Sequence, residues 1–182
     1  EKTIVGNVLI VNNLISKIST SPIPTNKSGD TKIIDGKGKF LMPGLIDAHW
    51  HTIMTANTLG DLMTGEAGYV FIKAGEEASA TLLRGFTSVR DLGGPAFGLK
   101  KAIDDGTIPG PRIWPSGSII SQTSGHGDFR NVNERPVSLG GHLHHSEMIG
   151  GATIADGREA MLVAVRENLK RGASQIKLTA GG

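Results

Sequence analysis

The chain has 182 residues, 38% hydrophobic and 20% charged, which suits one ordinary domain, or one domain with a piece of another, and excludes a disordered tail. A net charge of +2 without a basic stripe argues against a nucleic-acid partner, and the lack of cysteine excludes disulfides and thiolate metal sites. No apolar run approaches the roughly 20 residues of a helical membrane span, and 26 glycines point to many tight connections.

Residues 1–35 read as short strands. Val8, Leu9, Ile10 and Val11 precede Leu14, Ile15 and Ile18, with Asn12-Asn13 between them as a hairpin turn. The first residues already look like strand interior, so a preceding segment is expected. "SPIPTNKSGD" is a loop by composition, and "TKIIDGKGKFLMPG" predicts two further short strands around Gly36 and Gly38.

From Gly44 onward strands and helices alternate. "GLIDAHWH" reads as a strand. A helix is predicted over about Glu66 to Arg84, closed by Gly85. "FTSVRDL" is the next strand, followed by a helix over about Ala96 to Asp105 that ends at Gly106. "PRIWPSGSII" is a single third strand with Pro115 near its end. A long loop rich in glycine and histidine runs to about Ala155.

In "DGREAMLVAVRENLKRG", Asp156 is the expected N-cap, with Glu159 in capping-box spacing. Met161, Val165 and Leu169 line one helix face, and Gly172 closes it. "SQIKLTAGG" is a fourth strand. This alternation implies parallel strands joined by crossover helices, either half of an eight-stranded barrel or part of an open sheet. The last strand would be left uncovered, so the chain reads as a fragment.

Strand alternation puts Asp47, His49 and His51 on one face and Ala48 and Trp50 on the other. Two imidazoles so placed can close on one metal ion; the alternative is a hydrogen-bonded surface pair. At the C-terminal end of a first barrel strand, the metal reading is favoured. Lys177 shares a face with Gln175 and Thr179. A lysine on a buried strand is costly unless paired or neutralised, and a neutral amine can add CO2 to give a metal-bridging carbamate. The alternative is an ammonium that reaches solvent at the strand end.

His126, framed by glycines in "TSGHGD", is a candidate substrate contact or an ordinary loop residue. His142 and His144 repeat the His-x-His spacing in a Gly-rich loop with no strand to aim them. With His145 they form a rival metal site, ranked below His49 and His51. Asp91, near a strand end, is a supporting partner or a helix cap, not a catalytic acid.

The strings "GKGKFLMPGLIDAHWHT", "GFTSVRDLGG", "GPRIWPSGSIISQTSGHGD" and "GASQIKLTAGG", in that order, resemble the amidohydrolase superfamily, in particular its imidazolonepropionase-like and Xaa-Pro dipeptidase-like branch. The resemblance implies an α/β fold. Residues 44–182 would be the first half of a (β/α)8 TIM-type barrel, with strands one to four, and residues 1–43 part of a small β-sandwich domain. It implies one or two divalent metal ions, most often zinc. His49 and His51 would bind the more buried metal, and Lys177 would be the carboxylated lysine bridging both.

His126 falls on the family's Gly-His-Gly-Asp loop and would help hold the substrate, although Ser124 replaces a glycine often found there. In such sites the metals polarise the scissile carbonyl and generate hydroxide from bound water, with a pKa near about 7. The family takes two more histidines from the fifth and sixth strands and a proton-shuttling aspartate from the eighth, all expected beyond Gly182. No catalytic acid or base is therefore assigned within residues 1–182, and these residues alone are expected to be inactive without the remainder of the barrel.

The expected activity is cleavage of an amide bond in a dipeptide or N-acyl amino acid by a metal-dependent hydrolase, a dipeptidase or carboxypeptidase. Deacetylase, deaminase or imidazolonepropionase activity is the alternative within the superfamily. A non-catalytic scaffold on the same barrel is disfavoured by the joint presence of His49, His51 and Lys177. Self-association into a homo-oligomer is left open, as are compartment, substrate and metal identity.

Overall fold

The computed structural model describes residues 3–26 and 29–181. Lys27 and Ser28 of the expected loop and Gly182 of the expected last strand lie outside the described residues. By internal packing the chain divides after Met42 into two compact units.

The first unit holds one antiparallel hairpin, β1 (Asn7–Val11) and β2 (Leu14–Ser19). Asn12 and Asn13 turn it with φ of 49° and 66°, the left-handed pair that a two-residue hairpin loop requires and asparagine tolerates. The two strands expected around Gly36 and Gly38 are not formed. That stretch instead makes a turn, with the Lys39 N–H donating to the Gly36 carbonyl at 2.9 Å. Ile33, Ile34, Phe40 and Leu41 remain exposed. A strand gains its ladder only from a neighbour, and none lies beside these residues among those described.

The second unit contains β3 (Leu45–Trp50), helices α1 (Thr52–Ala56), α2 (Leu59–Thr64) and α3 (Ala67–Leu83), β4 (Phe86–Asp91), α4 (Phe97–Asp104), β5 (Arg112–Pro115) and β6 (Ile119–Ser121). It continues with α5 (His145–Met148), β7 (Ala152–Ile154), α6 (Gly157–Lys170) and β8 (Leu178–Thr179). All its strand pairs are parallel, in the orders β3-β4-β5 and β7-β6-β8. This is the α/β arrangement expected of part of a barrel.

The crossover helices end where glycine permits a left-handed residue, at Gly85 (φ 98°), Gly106 (φ 73°) and Gly172 (φ 99°). Trp50, only 7% exposed, packs with Val89 and Ile113 of the neighbouring strands and with Ala78 and Ala96 on the helical side. Trp50 is buried at the end of its strand face, while Ile46 and Ala48 on the same face stay exposed. A second cluster joins Ile120 to Ala155 and Ala164 under α6, with Ile176 against it. No helix among the described residues is long and apolar enough to cross a membrane.

The expected single third strand is broken into β5 and β6. Ser116, Gly117 and Ser118 interrupt it, with Gly117 at φ 76°. Asn168 of α6, 2% exposed, fills the break. Its Oδ1 accepts from the Ser118 N–H and hydroxyl, each at 3.1 Å, and its Nδ2 donates to the Ser118 carbonyl at 3.1 Å. A Cβ on residue 117 would lie 2.4 Å from Asn168 Oδ1, so only glycine fits. The Ser174 N–H donates to the Pro115 carbonyl at 2.8 Å, and the Ile120 N–H to the Lys177 carbonyl at 3.0 Å. The broken strand therefore lies between β4 and the segment leading into β8.

The expected loop to Ala155 is also more ordered than its composition suggests. It contains a 3-10 turn at Val137–Leu139, α5 and β7, and β7 pairs with β6 on the edge opposite β8. Asp156 sits at the N-cap position of α6 but does not cap it. Its carboxylate accepts instead from the Thr123 N–H at 2.8 Å and from the Thr123 hydroxyl. The expected capping box gives way to a tie between the α6 start and the loop after β6.

Candidate active site

His49 and His51 stand at the C-terminal end of β3, their ring centroids 5.2 Å apart. His49 is exposed and His51 half-buried, so the strand face that carries them is more open than the sequence suggests. Two contacts fix the backbone here. The His49 N–H donates to Asp47 Oδ1 at 3.0 Å, and the His51 carbonyl accepts from the Thr55 N–H at 3.0 Å in the first turn of α1.

Asp91, fully buried at the end of β4, accepts from the Thr52 N–H at 2.7 Å and the Gly93 N–H at 3.1 Å. It thus caps the start of α1 immediately behind His51. Burial raises its carboxyl above the ordinary value, while these N–H donors and His51 oppose the rise.

Burial lowers the pKa of His51, with Asp91 opposing and the nearby His49 and Lys177 adding to the decrease. The ring is thereby biased toward the neutral form that a metal ligand must have. His51 Nδ1 is buried without a hydrogen-bond partner of acceptable geometry, although the Gly93 backbone is close enough to favour a proton on the ring.

Lys177 is half-buried, and its ammonium makes no hydrogen bond or ion pair among the described residues. It lines an open cleft of about 490 Å³ together with Ser124, Gly125, His126, Thr179 and Gly181. The fold therefore brings His49 to His51, sets Lys177 within electrostatic reach of His51, and puts Lys177 and His126 on one cleft. Two neighbouring imidazoles, one biased neutral with an unpartnered ring nitrogen, suit a divalent metal, and Lys177 would join them only as a carbamate, since an ammonium repels a cation. Among the described residues no three His, Cys, Asp or Glu side chains are grouped to hold a metal by themselves.

The rival histidines are arranged otherwise. His144 is the N-cap of α5, its Nδ1 accepting from the Ser146 N–H at 3.2 Å while Glu147 accepts from the His144 N–H. His142 is exposed, and His145 begins the same short helix with Nε2 buried and unpartnered.

The loop carrying His126 is held on several sides. The His126 N–H donates to the Gly181 carbonyl at 3.0 Å, and the Gly127 N–H to Ser121 Oγ at 3.1 Å. A Cβ on residue 127 would meet Ser121 Cβ at 2.8 Å, so the glycine lets the loop lie on β6. Ser124 adopts φ 58°, a left-handed conformation that explains why glycine suits this position.

Sequence reasoning missed Asp128 and Arg130. Arg130 Nε donates to Asp128 Oδ1 at 2.9 Å and its NH2 to Oδ2, while the Ser124 N–H donates to the same carboxylate at 2.7 Å. The only signal was an arginine two residues after the Gly-His-Gly-Asp string. Burial pushes the Asp128 carboxyl up, but hydrogen bonds from Arg130 and the Ser124 N–H, with the Arg130 charge, outweigh it and hold the group below its ordinary value.

A depressed native value means that the contribution of Asp128 to loop order is complete above the unfolded value of about 3.9 and lost as pH falls through the native one. Hydrogen-exchange protection of the Ser124 and Asp128 amides is expected to hold down to about pH 4 and to fall only below it. Loosening already above about pH 5 would contradict the ion pair.

The amidohydrolase family model matches residues 40–182. The ochratoxinase of Aspergillus niger is 37% identical over 157 residues, covering 78% of this chain and 31% of that protein. A prolidase solved with N-methylphosphonate-L-proline superposes with a TM-score of 0.74 at 37% identity, over 96% of this chain and 40% of its own. A Xaa-Pro dipeptidase with methionine bound in its active site gives a TM-score of 0.63 at 27% identity, over 96% of this chain and 40% of its own. The chain thus spans about a third of the length of the ochratoxinase.

Proposed function

Because the chain belongs to the amidohydrolase family, we propose that it is part of a metal-dependent hydrolase that cleaves the amide bond of a dipeptide or N-acyl amino acid. The observation that carries this reading is the pairing of His49 with a half-buried, neutral-biased His51 beside an unpaired Lys177 and the His126 cleft. The prolidase and dipeptidase among the similar structures support the choice of a peptide-like bond.

His49, His51 and Lys177, the last as a carbamate, would hold one or two divalent ions, with zinc suited to the imidazole donors. When bound, such an ion supplies Lewis-acid polarisation of the scissile carbonyl and acidifies water. The chain's own residues prepare that chemistry. Asp91 fixes the turn from β3 into α1 and so the direction of His51, while burial biases the His51 ring toward the neutral form. His126 would hold a polar end of the substrate at the cleft wall. Proton delivery to the leaving nitrogen is assigned to a group outside these residues, and residues 1–182 alone are expected to turn over nothing.

The test is a panel of Xaa-Pro dipeptides and N-acyl amino acids, assayed with the product of the complete coding sequence. Hydrolysis that a chelator removes and added zinc restores is expected. A folded, metal-loaded protein that cleaves no member of the panel would refute the proposal.

A further inference from the structure

Four contacts converge on the turn that presents His126. Ser124 is held in a left-handed conformation, and its N–H is taken by Asp128 Oδ2. The Asp128 N–H closes the turn onto the Gly125 carbonyl at 2.9 Å. The Asp128 carboxylate is gripped through both oxygens by the guanidinium of Arg130. Arg130 in turn donates to the Glu134 carbonyl at 2.8 Å, which anchors it to the following segment. Near the surface as it is, the pair is well covered by its immediate neighbours, with the Arg130 and Asp128 side chains 9% and 3% exposed.

Neither side chain lines the cleft, whereas Ser124, Gly125 and His126 do. A covered ion pair that does not line the cleft but bonds the backbone that forms its wall is suited to fixing that wall. The planar guanidinium bonds both carboxylate oxygens in a fixed fork and still reaches the Glu134 carbonyl.

We propose that Arg130 is a positioning residue for substrate: acting through Asp128, it holds the 124–128 turn in the conformation that presents His126 to the cleft. This rests on the reading that His126 contacts substrate. Without Arg130, the Asp128 carboxylate loses its counter-charge, the strained Ser124 turn relaxes, and His126 moves relative to Lys177.

The experiment uses the complete protein, with alanyl-proline as substrate and Arg130→Met, Arg130→Lys and His126→Asn as variants. Arg130→Met is expected to raise KM roughly 10- to 100-fold, the scale of loss when a substrate contact is displaced by about an ångström. kcat should change by less than about threefold, because the change lies in binding. Arg130→Lys, which keeps the charge but not the fork, should fall between wild type and Arg130→Met. Hydrogen exchange at the 124–128 amides should quicken in the same order.

If His126→Asn raises KM while Arg130→Met leaves KM and exchange unchanged, the inference is overturned and the functional reading stands. If His126→Asn leaves KM unchanged, the inference falls with its premise while the hydrolase reading stands; a folded, metal-loaded protein that cleaves neither alanyl-proline nor any other member of the panel overturns both. If Arg130→Met lowers kcat and the thermal midpoint together at unchanged KM, Arg130 serves the fold alone and the inference is also overturned.

Discussion

Replacing both His49 and His51 with alanine in the complete protein is expected to remove its bound metal and to lower amide hydrolysis by roughly a thousandfold or more. A Lewis acid contributes several kcal/mol to such a reaction, and about 4 kcal/mol corresponds to roughly a thousandfold in rate. The fold should survive, because the contacts made here by the backbone do not use the imidazoles. Thr55 bonds the His51 carbonyl, and Asp91 holds the Thr52 N–H. Trp50 points the other way, into the core with Val89 and Ile113. Elemental analysis and the circular dichroism spectrum check the two halves of this statement. A variant that keeps its full metal content would move the site to the histidines at 142, 144 and 145.

The second large effect concerns stability. Asn168→Ala is expected to destabilise the protein by about 3 kcal/mol, because it leaves the buried N–H and carbonyl of Ser118 without partners at about 1–3 kcal/mol each. Asn168→Leu separates this cause from lost packing, since it fills the space but offers no hydrogen bonds. Both variants should lower the thermal midpoint by similar amounts. Recovery in the leucine variant would show that Asn168 acts by volume and not by bonding Ser118. The loop that carries His126 begins one turn beyond β6, so a loosened break at Ser116–Ser118 should reach the cleft as well.

Local rules made much of this architecture legible. Asn12-Asn13 read as a hairpin turn because asparagine tolerates the left-handed region, and Gly85, Gly106 and Gly172 marked helix ends for the same steric reason. The period of two along β3 separates Trp50 from the histidines, and Trp50 does pack into the core.

What stayed hidden depends on partners distant in sequence. The break between Pro115 and Ile119 is held by Asn168 from a helix fifty residues away, so "PRIWPSGSII" looks continuous by itself. Asp156 carries the signature of a cap, yet its carboxylate is taken by Thr123 from a neighbouring loop. Ile33 and Ile34 have strand-forming side chains but no neighbouring strand among the described residues. Arg130 gave no pattern, since its role comes from a turn that only the fold closes around Asp128.

The measurement that tests the central claim most directly is anomalous diffraction at a metal absorption edge from crystals of the complete, metal-loaded protein. The account predicts a peak in contact with the rings of His49 and His51 and with added density on Lys177 Nζ. A peak on the 142–145 histidines, or a bare Lys177 amine beside an empty His49–His51 pair, would contradict it.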